Sequence, residues 1–157
     1  MAKGGAHQDG KQRSGLVAQN RKARFEYEVL ETVEAGLALR GTEVKVLRQG
    51  KVSLDESYAR VIDDEVFLVG ANIAEYSHGN VQNHEPKRKR KCLLHRREIR
   101  RLKEKTQQKG LTLIPLDLHF GDRGFAKLTI GVCRGRKAHD KREHLKNKAV
   151  RREMREE

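Results

Sequence analysis

The chain has 157 residues, a net charge of +13, no Trp and two Cys. That length suits one domain, and hydrophobic and charged fractions of 36% each require a small aliphatic core with much of the chain outside it. Two cysteines make no disulfide framework, the polar start "MAKGGAHQDGKQRSG" has no apolar leader, and no apolar run approaches the ~18 residues of a membrane span, so a soluble, cytoplasmic protein without membrane partners is expected.

Residues 1–19 are Gly-rich and aperiodic and read as a flexible basic arm. "RFEYEVLETV" alternates, with Phe25, Tyr27 and Val29 on one face and Glu26 and Glu28 on the other, which predicts a half-buried strand. In "GTEVKVLRQG", Val44 and Leu47 have helical spacing and Gly50 is a stop. "ESYARVIDDEVFLVG" predicts two strands around a turn at Asp63 and Asp64. "NIAEYSHGNVQNHEP" has no period and reads as a loop, with Tyr76 as the best exposed stacking candidate; the other aromatics, Phe25, Tyr27, Tyr58, Phe67, Phe120 and Phe125, sit mostly on strand patterns and read as core. "HRREIRRLKEKTQQKG" places Ile99 and Leu102 on one face of a basic helix that stops at Gly110. Leu111 and Leu113 then have one parity and Leu116, Leu118 and Phe120 the other, with Pro115 at the switch, so a bulge or edge is expected there. After the turn "GDRG", Ala126, Leu128, Ile130 and Val132 alternate cleanly.

At least five short strands with one or two helices predict a mainly β fold: a small antiparallel OB-type barrel with flanking helices and a basic tail. An α+β sandwich fits the same pattern. The expected division is an arm over 1–19, a domain over 20–134 and a tail over 135–157.

The charge is segregated. Residues 1–24 carry +5, 25–86 carry −7, 87–109 carry +10, 110–133 are neutral and 134–157 carry +5. Charge placed only for solubility has no reason to cluster, whereas a surface for an anionic partner does. The block "PKRKRKCLLHRREIRR" is self-repelling, and phosphates neutralise such a block while releasing counterions. Few aromatics stand free to stack, so a folded RNA recognised by shape and backbone fits better than a single strand. Metal is weakly supported: Cys92 and His95 are three apart, but no second ligand pair follows. No cofactor motif and no nucleophile motif occurs, and an enzyme is not expected. His139 and Asp140 could form an acid–base pair in a small nuclease, but they lie where no core fixes their geometry.

The tail carries a helix signal. Asp140 with Glu143 forms a capping-box pattern, and Leu145, Ala149, Val150 and Met154 make a narrow apolar stripe. Like charges stand at helical neighbour spacing, Arg142 with Lys146 and Lys148 with Arg152. A lone helix of this length is marginal in water. The tail is therefore expected to be disordered when free and helical when a polyanion neutralises it.

Four segments, "FEYEVLETVEAGLALRGTEVKVLRQGKVSLDESYA", "GANIAEY", "RKCLLHRREI" and "IGVCRGRKAHDKR", resemble in this order the SsrA-binding protein (SmpB) family, from about Asn20 to Arg142. The resemblance implies an OB-type barrel that binds the tRNA-like domain of transfer-messenger RNA and delivers it to stalled ribosomes in trans-translation. It implies a tail that enters the decoding centre of the small subunit and the mRNA channel, with elongation factor Tu and alanyl-tRNA synthetase as indirect partners. By motif match, Glu34, Leu93 and Lys127 correspond to RNA-binding positions, and Asn20, Arg21 and Lys22 to the start of the RNA-binding domain. In "GRKAHDKR", Arg136, Lys137, His139, Asp140, Lys141 and Arg142 correspond to the tail motif for the ribosome. Phe25 stands where many members have His, and Cys92 where an aliphatic residue is common. A generic basic OB-type binder of structured RNA or ribosomes is the alternative, and a small nuclease the less favoured one.

Overall fold

The computed structural model describes residues 15–78, 82–136 and 138–156. The elements in chain order are β1 (Leu16–Gln19), α1 (Arg21–Glu26), β2 (Tyr27–Leu37), α2 (Gly41–Gln49), β3 (Val52–Ser53), β4 (Tyr58–Ile62), β5 (Glu65–Val69), β6 (Asn72–Ile73), β7 (Arg90–Leu93), α3 (Arg96–Thr106), β8 (Leu111–Phe120), β9 (Ala126–Gly135) and α4 (Ala138–Glu156). The strands run β8-β4-β5-β7-β2-β9, all antiparallel, and pairing of β9 with β8 closes them into a barrel. β1 joins β8 beside the stretch Asp117–His119, beyond the point at Leu113 where β4 pairs. The expected fold class, a small antiparallel barrel with flanking helices, is the one observed. The sheet starts at Leu16, so the last residues assigned to the arm are an edge strand; residues 1–14 lie outside the described residues.

Leu68, Leu113, Leu118, Leu128 and Ile130 fill the barrel, and Val46 and Leu47 of α2 and Leu102 of α3 enter the same core. The β4–β5 hairpin turns at Asp63 and Asp64 with φ of 52° and 62°. That pair of left-handed residues suits a two-residue hairpin loop, and Asp tolerates the conformation better than most residues. α2 ends as expected at Gly50, with φ of 75°.

The parity switch in β8 is a register shift between Pro115 and Asp117. It lets both Leu113 and Leu118 face inward, while Ile114 and Leu116 are left on the outside. A shift between Val29 and Glu31 does the same in β2, so Val29 packs outside and Val33 inside although both are odd-numbered. α1 covers the outer apolar patch, burying Ala23 against Ile114, Leu116 and Cys133. This corrects the expectation for Phe25: it lies in α1, and the strand begins at Tyr27. α3 likewise stops at Thr106, and Gly110, with φ of 86°, turns the chain into β8.

The largest correction concerns the central basic block. Part of it is a strand, β7, whose alternation buries Arg90, and Arg88, just before the strand and a quarter exposed, reaches towards the same carboxylate. Glu43 of α2 is fully buried and meets both. Arg90 Nε donates to Glu43 Oε2 at 2.8 Å, and Arg88 NH2 to Oε1 at 2.7 Å. Arg90 directs its other donors to the carbonyls of Ala71, Glu85 and Pro86. His84, also buried, sets Nε2 against the Ile73 and Ala74 carbonyls and Nδ1 against the Thr42 hydroxyl. Residues 84–90 are thus fastened to α2 through Thr42 and Glu43.

Burial alone would raise the Glu43 carboxyl, but hydrogen bonds from Arg88, the Arg40 amide and Arg90 outweigh it and hold it at about 2. A carboxyl lowered from 4.5 stabilises the fold above its unfolded value and ceases to as pH falls through the folded one. Stability should therefore drop by roughly 3 kcal/mol between about pH 4.5 and pH 2. Glu43→Gln should remove that part of the acid transition and, by leaving Arg90 buried without a counter-charge, cost about 3–5 kcal/mol at neutral pH. Denaturant titrations of both proteins across pH check this; an unchanged acid limb in Glu43→Gln would refute it.

Candidate nucleic-acid interface

The closure of the barrel sets four strands side by side, and their outward residues line up. Leu93 of β7 pairs with Gly36 of β2, Gly36 with Lys127 of β9, and Lys127 with His119 of β8. The neighbouring row runs Glu34, Thr129, Asp117. Glu34, Leu93 and Lys127, scattered in sequence, therefore share one open face. Gly36 makes room there: a Cβ on it would sit 3.4 Å from Leu93 Cβ. Leu93 remains 51% exposed.

The polar members are linked. Thr129 Oγ1 donates to Asp117 Oδ1 at 3.1 Å. His119 places Nδ1 at 2.8 Å from the same oxygen and Nε2 at 2.9 Å from Glu34 Oε2. A Lys for phosphate, a carboxylate that accepts from base amines or 2′-hydroxyls, and an apolar side chain for a base or ribose edge form a set suited to structured RNA. Phe125, expected in the core, precedes β9 in the turn and is 66% exposed beside this face. Its strand-like neighbours concealed that it ends the turn rather than starting the strand.

Asn20 is buried, with its side-chain amide donating to the Pro115 carbonyl at 3.1 Å, so that group anchors α1 to β8. Arg21 and Lys22 are exposed on α1. On α3, Lys103 pairs with Asp64 at 2.8 Å, and Arg101 and Lys105 pair with Glu31. Arg96, Arg97 and Arg100 are exposed and make no ion pair among the described residues. Tyr76 is half-buried, edge-on to His78 at 5.4 Å, and its backbone is held from both sides by the Asn83 amide. It is thus less free to stack than expected. Cys92 faces the core and its thiol is pushed up to about 12 by burial, whereas His95 is exposed before α3, so the two diverge. No cluster of three or more metal-ligating side chains occurs among the described residues, and no described helix is long and apolar enough to cross a membrane.

The tail leaves from the end of β9. The Arg136 amide donates to the Glu26 carbonyl at 2.9 Å, and Lys141 Nζ lies 5.7 Å from the centre of the Phe25 ring. Glu28, Arg134, Arg136, Glu143, His144 and Asn147 line a groove at this root. Burial, and then the charges of Arg136, Lys148 and Arg151, lower the His144 imidazole. α4 begins at Ala138, so Asp140 is in its first turn rather than at its cap, a position that still suits a carboxylate. Lys137 and the side chains of His139 and Asp140 lie outside the described residues. Arg142 is exposed, as are Leu145 and Val150.

The sequence model of the SmpB protein family matches residues 17–157. The SsrA-binding protein of Thermus thermophilus is 54% identical over 140 residues, covering 89% of this chain and 97% of its own. That of Chelativorans sp. is 53% identical over 138 residues, covering 88% and 89%. A chain from the solved structure described as "tmRNA-SmpB: a journey to the center of the bacterial ribosome" is 52% identical, with a TM-score of 0.66, covering 81% of this chain and 92% of that one. A match of this extent, together with a barrel of the expected class, decides the question: the chain belongs to the SmpB protein family.

Proposed function

We propose that the protein is a cytoplasmic RNA-binding adaptor of ribosome rescue, with no chemistry of its own. Its barrel binds the tRNA-like domain of transfer-messenger RNA, and its tail enters the decoding centre and mRNA channel of a stalled ribosome. Elongation factor Tu and alanyl-tRNA synthetase act on the same RNA and are indirect partners. The observation that carries this reading is the convergence of Glu34, Leu93 and Lys127 on one open sheet face from three strands. The relatives' name, SsrA-binding protein, and the ribosomal setting of the solved relative support it. Arg21 and Lys22 are exposed on α1, the helix that Asn20 anchors to β8.

We assign α4 as the form the tail takes once its charge is neutralised. Among the described residues its contacts with the barrel lie at its root, and Leu145 and Val150 of the apolar stripe are exposed. Each like-charged pair costs a few tenths of a kcal/mol. Arg136, Lys137, His139, Asp140, Lys141 and Arg142 form the stem of this segment and make the first ribosomal contacts. A nuclease centred on His139 and Asp140 is less favoured, because successive positions of a helix lie about 100° apart around its axis.

Lys127→Ala should weaken binding to the tRNA-like domain and lower the slope of log K against log salt by about 1, as expected for one lost phosphate contact. Leu93→Ala should weaken it roughly tenfold with the slope unchanged, since about 1.4 kcal/mol of apolar contact is lost. Equal affinity of both variants and wild type in a salt-series titration would place the RNA elsewhere.

Truncation after Gly135 should leave affinity for the RNA within a few-fold, about 1 kcal/mol at most, yet abolish tagging on stalled ribosomes. Loss of both together would contradict the division of roles. RNA that is degraded, with cleavage lost in His139→Ala, would favour the nuclease.

Amide exchange along Arg142–Glu156 should be fast in the RNA-free protein at low salt and slow on the ribosome. Strong protection in the free protein would refute the conditional helix.

A further inference from the structure

His119 stands between two carboxylates. A neutral imidazole has one N–H and can donate to only one of them; its other nitrogen would then set a lone pair against a carboxylate oxygen. Contacts of 2.8 Å to Asp117 and 2.9 Å to Glu34 are satisfied together by the imidazolium, which donates from both nitrogens. Asp117 is fixed from a second side by Thr129. The groups that face the ring are Asp117 on its own strand, Glu34 on β2 and Lys127 in register on β9, while β1 offers Leu16. The His119 side chain is 23% exposed and that of Glu34 is 58% exposed, so the clamp is sheltered and the clamped group is accessible.

We infer that His119 is a positioning residue for RNA recognition: as an imidazolium it holds Glu34 through Oε2 and leaves Oε1 free to accept from a base amine or a ribose 2′-hydroxyl. This rests on the sheet face being the RNA contact. The same proton balances the face, with Glu34 and Asp117 against Lys127 and His119. Its loss releases one carboxylate contact and leaves a net negative face towards a polyanion. RNA affinity therefore decreases as pH rises and the imidazolium is lost, and no tail residue is needed for the effect.

The test is affinity of the full-length chain for the tRNA-like fragment of transfer-messenger RNA at fixed salt, from about pH 5.5 to about pH 8.5, the range over which imidazoles change charge. Wild type should lose roughly tenfold across it, the worth of one hydrogen bond to a charged group. His119→Gln should be nearly flat and as weak at low pH as wild type is at high pH. Glu34→Gln, which has no charge for the ring to hold, should flatten the profile in the same way and serves if the first variant folds poorly. A flat wild-type profile, or a wild-type slope retained in both variants, overturns the inference. Measuring Glu34→Ala and Lys127→Ala at about pH 6 separates the two levels. If both bind as wild type, the face is not the contact and both readings fail; if both weaken while the wild-type profile is flat, only the role of His119 fails.

Discussion

A carboxylate sealed between α2 and β7 governs how this barrel is built. Glu43 is removed from water, which is tolerable only because two guanidiniums and a backbone amide converge on it. Those guanidiniums come from a chain segment that would otherwise have every reason to stay solvated. By drawing Arg88 and Arg90 inward, the carboxylate fixes which residues of the segment face the core and which face out. Arg90 then gathers the carbonyls of Ala71, Glu85 and Pro86, which disciplines an aperiodic loop. The register of β7 against β2 follows, and with it the placement of Leu93 over Gly36. The open face is thus a consequence of ion pairing on the opposite side of the same strand.

The two signs of charge have different tasks. Most cations on the described surface lie off the four-strand face, with the largest groups on α3 and α4, while the face itself nearly balances. Contacts to phosphate supply affinity without discrimination, and discrimination needs groups of fixed geometry. A hydrogen-bonded row of Glu34, His119, Asp117 and Thr129 has such geometry; long exposed lysines and arginines do not. In the proposed role, the helices bring the RNA in and the sheet decides whether it fits.

Much of the barrel was legible because burial on one face writes itself as alternation. The hairpin at Asp63 and Asp64, the run from Ala126 to Val132 and the stop at Gly50 all follow from local chemistry. The parity change around Pro115 was legible too, although only the structure shows that it moves Leu116 under α1. β7 was hidden, since alternating Lys and Arg look identical to a pattern that scores only apolar residues; the signal was the distant Glu43 in an apolar helix face. α1 was hidden because Phe25 continues the parity of β2, and nothing local marks the change of face at Val29. The membership of the site came from family motifs, not from spacing. The pairing of His119 with Glu34 depends on strand register across residues 85 apart in sequence, which no local pattern carries.

The root of α4 has a geometric corollary. A 19-residue helix is about 28 Å long. Because its first turn is tied to α1 through Glu26 and Phe25, the direction in which it projects is inherited from the rigid body rather than chosen freely. Once coiled, the segment is a ruler of set length and bearing, so whatever docks on the sheet is held at a defined offset from whatever meets the far tip.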